Sequence, residues 1–189
     1  MKEINFIKEV DLLKNVERQT SPFFGGRKEN SAEHSWHLAV AVFVLKDLAV
    51  EKLDLERALS LALFHDIVEI DGGDTFVYSD LTNKSESEEA CLNRLTELLP
   101  TKTQNEIKEL WHEYENRTTM ESKFVNAIDR FLPMYANFLT EGYSWKKHGI
   151  KKDQVIERNK QKILDGLPAL WIEAEKIIAD GLEKKYLLA

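Results

Sequence analysis

A histidine followed directly by an aspartate, His65-Asp66, closes a segment with apolar residues at helical spacing, Leu55, Leu59, Ala62 and Leu63. Two adjacent ionisable side chains at the inward end of a helix need an explanation. A buried carboxylate costs roughly several kcal/mol unless a cation or a metal meets it. Glu69 follows three residues after Asp66 and four after His65, so a helix continuing that far brings all three to one turn. The plainer alternative is a helix end with solvated charges and an imidazole favoured by the C-terminal dipole. His34 sits in the first turn of another apolar segment, with His37 one turn on; a core histidine bonded to backbone is the plain reading of both. Asp129 lies between Val125 and Leu132 on the apolar face of a third helix, where Arg130 or Lys123 could pair with it.

Taken together, His34, His65, Asp66 and Asp129 form a mixed nitrogen and oxygen donor set on the inward sides of helices. Such a set suits one divalent ion, Mn, Fe, Co, Ni, Zn or Mg, with geometry and supply deciding which. Four protein ligands leave positions open on a six-coordinate ion for water and a substrate oxygen. Glu69 is then placed to act as general base or acid on that water.

The elements that position these residues are helical nearly throughout. Residues 2–15 read as a short amphipathic helix, and Ser21, Pro22, Gly25 and Gly26 mark a loop within 17–30. Residues 31–50 predict a helix buried on most sides, and Asp54 predicts the N-cap of the next. Asp71-Gly72-Gly73-Asp74 breaks the pattern, and 71–84 read as an irregular connection. Three capping-box patterns, Ser85 with Glu88, Thr103 with Glu106 and Thr118 with Glu121, predict three further helix starts. The first of these helices should end at Pro100, and Pro133 should end or kink the third. Residues 154–164 and 168–186 supply two more. Together these predict an all-α fold of about seven or eight helices in one domain spanning 1–189. The motif-bearing part is about 10–140, with the C-terminal helices of 150–186 packing on it.

The chain has 189 residues, 43% of them apolar, with 26 basic and 33 acidic side chains and a net charge of −7, which argues against non-specific nucleic-acid binding. Its one cysteine, Cys91, forbids an intrachain disulfide and falls on an apolar helical stripe, as inert core. The longest apolar run, Leu38 to Leu45, has eight residues, far short of the ~20 of a membrane helix. The first ten residues alternate charged and apolar positions, unlike a signal peptide, so the expected location is the cytoplasm with no membrane partner.

The ordered set His34, His65-Asp66 and Asp129 resembles the signature of the HD-domain metal-dependent phosphohydrolases. The likeness extends to Glu29-Asn30-Ser31-Ala32-Glu33-His34-Ser35, to His65-Asp66-Ile67-Val68-Glu69 and to Gly73-Asp74. It also takes in Leu110-Trp111-His112-Glu113-Tyr114-Glu115 and Lys123-Phe124-Val125, all of which look like the 5′-deoxynucleotidase branch. The resemblance implies an all-α bundle, usually a homodimer, with one divalent metal on the four signature residues and hydrolysis of deoxynucleoside 5′-monophosphates. It implies that Glu69 is catalytic, that Asp74 positions the attacking water or the sugar hydroxyl, and that Arg18, or else Arg27, binds the phosphate. Gln19 follows Arg18 where some members carry an aromatic residue linked to selection of the deoxy sugar. After the His65-Asp66 pair only His112 and His148 remain as further histidines, so one metal is expected rather than two. Other readings are hydrolysis of a nucleoside triphosphate, an alarmone or a cyclic nucleotide, and a catalytically silent nucleotide sensor. The apolar positions Leu167, Leu170, Trp171, Ile177 and Ile178 are the sequence's own support for a dimer, unless they cap the monomer core. Tyr135, Tyr143 and Trp145 read as core aromatics.

Overall fold

Two polar caps start the helices that carry the histidines. The Asn30 side chain accepts from the Glu33 amide, and the Glu33 carboxylate accepts from the Asn30 amide, opening α2 (Ser31–Leu45). Asp54 accepts from the Arg57 amide at 3.1 Å and opens α3 (Leu55–Phe64), as the sequence predicts. The computed structural model describes residues 1–74 and 84–189. The other helices among them are α1 (Lys2–Val10), α4 (Glu69–Gly72), α5 (Lys84–Thr96), α6 (Thr101–Asn116), α7 (Met120–Leu139), α8 (Tyr143–His148), α9 (Lys152–Gly166) and α10 (Pro168–Glu183). The described residues form no strand, only isolated bridges such as that between Glu17 and Asn30.

The all-α expectation therefore holds, with more and shorter pieces than seven or eight. The stretch 2–15 divides into α1 and a 3-10 segment, Asp11–Asn15, and the stretch 31–50 into α2 and a second one, Lys46–Leu48. The capping boxes need correction. Thr103 and Glu106 lie inside α6, whose N-cap is Pro100, and α5 ends at Thr96, before that proline. Ser85 lies inside α5, and the residues before Lys84 are outside the described ones. For α7 the box is one residue later, formed by Thr119 with Ser122, because a short hydroxyl can return the bond as a Glu would. Pro133 does not end α7. It removes only the N–H that would bond the Asp129 carbonyl, and burial of Leu132, Met134 and Ala136 holds the helix together on both sides of it.

Helix α7 is the axis of the main core. Phe124, Val125, Ala127 and Ile128 are fully buried on it, and α2, α3, α9 and α10 pack against it. Gly166 lets α9 approach closely, since a Cβ there would run into the Lys123 backbone carbonyl. Leu167, Leu170, Trp171, Ile177 and Ile178 all face this core, so they cap the monomer and give no support to a dimer. The expectation for α2 also needs correction. Ser31, His34, Ser35, Leu38 and Val42 are buried, but Trp36, Val40, Phe43 and Val44 are exposed.

A second, smaller core joins α1, α5 and α6 through Phe6, Cys91, Leu92, Leu95, Ile107 and Trp111, with Ile67 and Val68 from the turn after α3. Cys91 is 1% exposed there, and burial together with Asp71 pushes its thiol up to about 11, so it is inert. His65-Asp66 thus falls on the seam between the two cores, with Ala62 in the first and Ile67 in the second.

Candidate metal centre

His65 is the C-cap residue of α3, and its ring is held by the backbone it caps. The Nδ1–H donates to the Ala62 carbonyl at 3.0 Å. That bond occupies Nδ1 and leaves Nε2 as the nitrogen a metal would take in place of its proton. Nε2 is buried without a hydrogen-bond partner although Asp66 Oδ1 lies 3.1 Å away, so the two atoms face a common point rather than each other. His34 enters from the first turn of α2, and its Nε2 meets Asp129 Oδ1 of α7 at 2.9 Å. Asp129 Oδ1 is also 4.0 Å from His65 Nε2. The donor atoms of His34, His65 and Asp66 all lie within 4.8 Å of one another. Ligands about 2.1 Å from an octahedral ion sit about 3.0 Å apart when adjacent. The separations of 2.9 and 3.1 Å therefore fit one small divalent ion.

The structure brings the other expected residues to the same place. Glu69 begins α4, is 5% exposed, and accepts from the Ser31 hydroxyl at 2.6 Å. Burial, with Asp66 and Asp74 nearby, pushes its carboxyl up to about 8. Arg18 donates through Nη1 to Asp66 Oδ2 at 2.8 Å and comes within 3.8 Å of Asp74. The Gln19 amide donates to Asp74 at 3.1 Å, so the residue after Arg18 contributes its backbone. Arg27 is elsewhere, exposed and paired through two hydrogen bonds with Glu33. His37 packs edge-on against Phe23, which in turn meets Tyr135, while His112 is exposed beside Glu89.

Electrostatics divide the donors. Burial opposes ionisation of Asp66, but His65, Arg18 and His34 hold its carboxyl well below the usual range. The same balance, with His34 and Arg130 opposing burial, lowers Asp129. Burial opposes the charge on His65 too, yet Asp66 and Asp129 raise it to about 9, so protons compete for the nitrogen that a metal would take.

Three neighbours were not singled out from sequence. The Tyr114 hydroxyl donates to Asp129 Oδ2 at 2.8 Å, fixing the carboxylate. Glu29 lies 3.7 Å from both Arg18 Nε and His34 Nδ1. Ser31 anchors Glu69. All three stand in stretches that carry the family likeness, but the sequence alone assigns none of them a role; Tyr114 falls on the buried stripe of α6, where its hydroxyl must find a partner. Five buried polar side-chain atoms lack a partner among the described residues, and three of them, His65 Nε2, Arg18 Nε and Arg130 Nε, lie around this centre. Unsatisfied groups concentrated at one place mark a site made for something to bind.

A helical bundle delivering two histidines and two aspartates to one seam defines the HD domain, and the chain belongs to that family, matching it over residues 10–171. It is 39% identical, with a TM-score of 0.95 over 100% of this chain and 95% of the other, to a protein of Magnetospirillum magnetotacticum MS-1 whose crystal structure is described as that of a predicted metal-dependent phosphohydrolase. It is 35% identical over 130 residues to the 5′-deoxynucleotidase HDDC2 of Bos taurus, covering 67% of this chain and 62% of the relative. It is also 30% identical over 135 residues to the 5′-deoxynucleotidase hdd1 of Schizosaccharomyces pombe, covering 68% and 67%.

Proposed function

We propose that the chain is a metal-dependent phosphohydrolase that releases phosphate from deoxynucleoside or nucleoside 5′-monophosphates. The observation that carries this reading is the His65 ring, whose Nδ1–H is bound to the Ala62 carbonyl while Nε2 points unpaired toward Asp66 and His34. The substrate class is supported by the relatives named 5′-deoxynucleotidase.

In this reading His34, His65, Asp66 and Asp129 hold one divalent ion. When bound, that ion lowers the pKa of a coordinated water and polarises a phosphoryl oxygen. Glu69 accepts the proton of the attacking water. A carboxyl pushed up to about 8 is matched to both taking and returning a proton near neutrality, and the Ser31 hydroxyl holds it in place. Asp74, pinned by the Gln19 amide and by Arg18, positions the water or the sugar hydroxyl. Arg18 keeps Asp66 ionised and offers its guanidinium to the phosphate.

The reading extends to the molecule around the site. One core joins residues from Leu38 to Leu187, which supports a single domain with the C-terminal helices packed on the motif-bearing part. A homodimer is supported by the exposed face of α2, where Trp36, Val40, Phe43 and Val44 fall at helical spacing. No described helix is long and apolar enough to cross a membrane. A net charge of −7 and a single buried thiol support a cytoplasmic protein without nucleic-acid partners.

The test is phosphate release from ribo and deoxy mono-, di- and triphosphates with Mn²⁺, Co²⁺, Mg²⁺ or chelator. Metal-dependent release from 5′-monophosphates is expected. Release from triphosphates alone, or undiminished release in chelator, would sink the reading. Equal rates on ribo and deoxy substrates would show that Gln19 does not select the sugar.

A further inference from the structure

The base of the proposed reaction stands on very little helix. Glu69 opens α4, a single turn that ends at Gly72, and Asp74 follows just beyond Gly73. The Gly73 amide donates to the Glu69 carbonyl at 2.7 Å, but one turn does not hold its own shape in water. What steadies it must come from its two faces. Residues two apart on a helix lie about 200° apart, so Glu69 and Asp71 point to opposite sides. On the inner side the Ser31 hydroxyl donates to Glu69 at 2.6 Å.

On the outer side Arg94 of α5 forks onto Asp71, Nε to Oδ2 at 2.8 Å and Nη2 to Oδ1 at 2.7 Å. Its remaining nitrogen, Nη1, donates to Glu9 of α1 at 2.7 Å. The arginine rises from a firm base, because its neighbours Leu92 and Leu95 are fully buried in the second core. Two parallel bonds to one carboxylate fix orientation as well as distance. Stability alone does not account for such a fork. The two side chains are 42% and 43% exposed, and ion pairs that wet add little to folding. Position is worth more, since a misplacement of about 1 Å can cost about 10²-fold in rate.

The geometry points to Arg94 as a positioning residue for the hydrolysis, whose fork on Asp71 fixes the rotation of α4 and so the place of the Glu69 carboxylate and of Asp74 beside the metal centre. This rests on the proposed reaction and adds to it a residue on the far side of the catalytic turn. Arg94 acts only through Asp71. The metal ligands His34, His65, Asp66 and Asp129 all lie outside α4, and so does Arg18. Loosening the turn should therefore spare metal and phosphate binding and slow the chemical step.

The test uses metal-loaded full-length protein, with kcat and KM on a deoxynucleoside 5′-monophosphate and bound metal measured in parallel. Arg94→Ala should lower kcat by about 10- to 100-fold. Its KM should stay within about three-fold and its metal content should hold. Asp71→Ala should do the same, and the double variant should be no slower than either single one, as for one shared interaction. Arg94→Lys keeps the charge without the fork and should recover part of kcat. Glu9→Gln cuts only the arm to α1 and should leave kcat near wild type. An Arg94→Ala variant with wild-type kcat would overturn the role of Arg94. So would losses that add in the double variant, an equal loss in Glu9→Gln, or a fall in bound metal that matches the fall in kcat. A wild type without metal-dependent phosphate release would overturn the proposed reaction and the role of Arg94 with it.

Discussion

The molecule contains two buried carboxylate sites of opposite completeness. In the first, Glu113 of α6 is met by Arg57 of α3 through Nε, at 2.7 Å, and through Nη2, while the Thr119 hydroxyl donates to its other oxygen. Both oxygens are partnered, and the knot ties α3, α6 and the start of α7 with nothing left over. In the second, around His65 and Asp66, buried nitrogens of His65, Arg18 and Arg130 have no hydrogen-bond partner among the described residues. A structural ion pair closes its valences, because an open one costs about 1–3 kcal/mol. A site that waits for a ligand keeps some open and takes back that cost when the ligand binds.

That contrast can be broken by substitution. The largest effects are expected in the open cluster. His65→Ala should lose both bound metal and turnover, whereas Glu69→Ala should keep the metal and lose turnover by about 10²- to 10⁴-fold. Bound-metal analysis beside the phosphate-release assay separates the two, and an active Glu69→Ala would remove Glu69 from the mechanism. In the closed cluster, Glu113→Gln should lower stability by about 1–3 kcal/mol in urea unfolding while leaving metal content and KM unchanged. A drop in metal affinity there would show that the two clusters are one network.

The smallest effect sharpens the comparison through pH. Glu69 and His65 hold protons more tightly folded than unfolded. Their contribution to stability is therefore full below about 4.5 and 6.5 respectively, and is lost as pH rises through about 8 and about 9. Asp66 and Asp129 are lowered and act only in acid, outside this window. Metal-free protein should lose a few degrees of Tm between pH 6 and 9, and Glu69→Gln should flatten part of that slope. Added Mn²⁺ should stabilise more at pH 8 than at pH 6, because the ion competes with the His65 proton. A metal increment independent of pH would contradict the ligand role of His65.

Much of the open cluster was legible in the sequence, because charged residues at apolar positions are anomalies that a pattern exposes. His34, His65, Asp66 and Asp129 all showed themselves in that way. The choice between Arg18 and Arg27 was not legible. Both stand in one loop of mixed composition, and only the fold brings Arg18 to Asp66 while leaving Arg27 with Glu33. Glu29 and Ser31 stood in the motif stretch before His34 without a role of their own for the same reason, since only the fold brings Glu29 to Arg18 and Ser31 to Glu69. The exterior of α2 was misread because hydrophobicity reports what can be buried, not what one chain buries. The helix boundaries moved where a hydroxyl or a proline admits two registers, as at Thr118 and Thr119.

The His34–Asp129 contact spans 95 residues of chain, and the Arg18–Asp66 contact spans 48. Closing such distances is slow, because the entropy of the intervening loops is surrendered before any contact is gained. Helices α2 and α3 and the packing of α7 must therefore be in place before the four donors meet. Metal then arrives at a nearly finished molecule and acts on the exit rather than the approach. It should lengthen the lifetime of the folded state by slowing unfolding, with little influence on how fast the chain folds. The ion that equips the site for chemistry would thus also serve as its clasp, a kinetic role set by how far apart in the chain its holders lie.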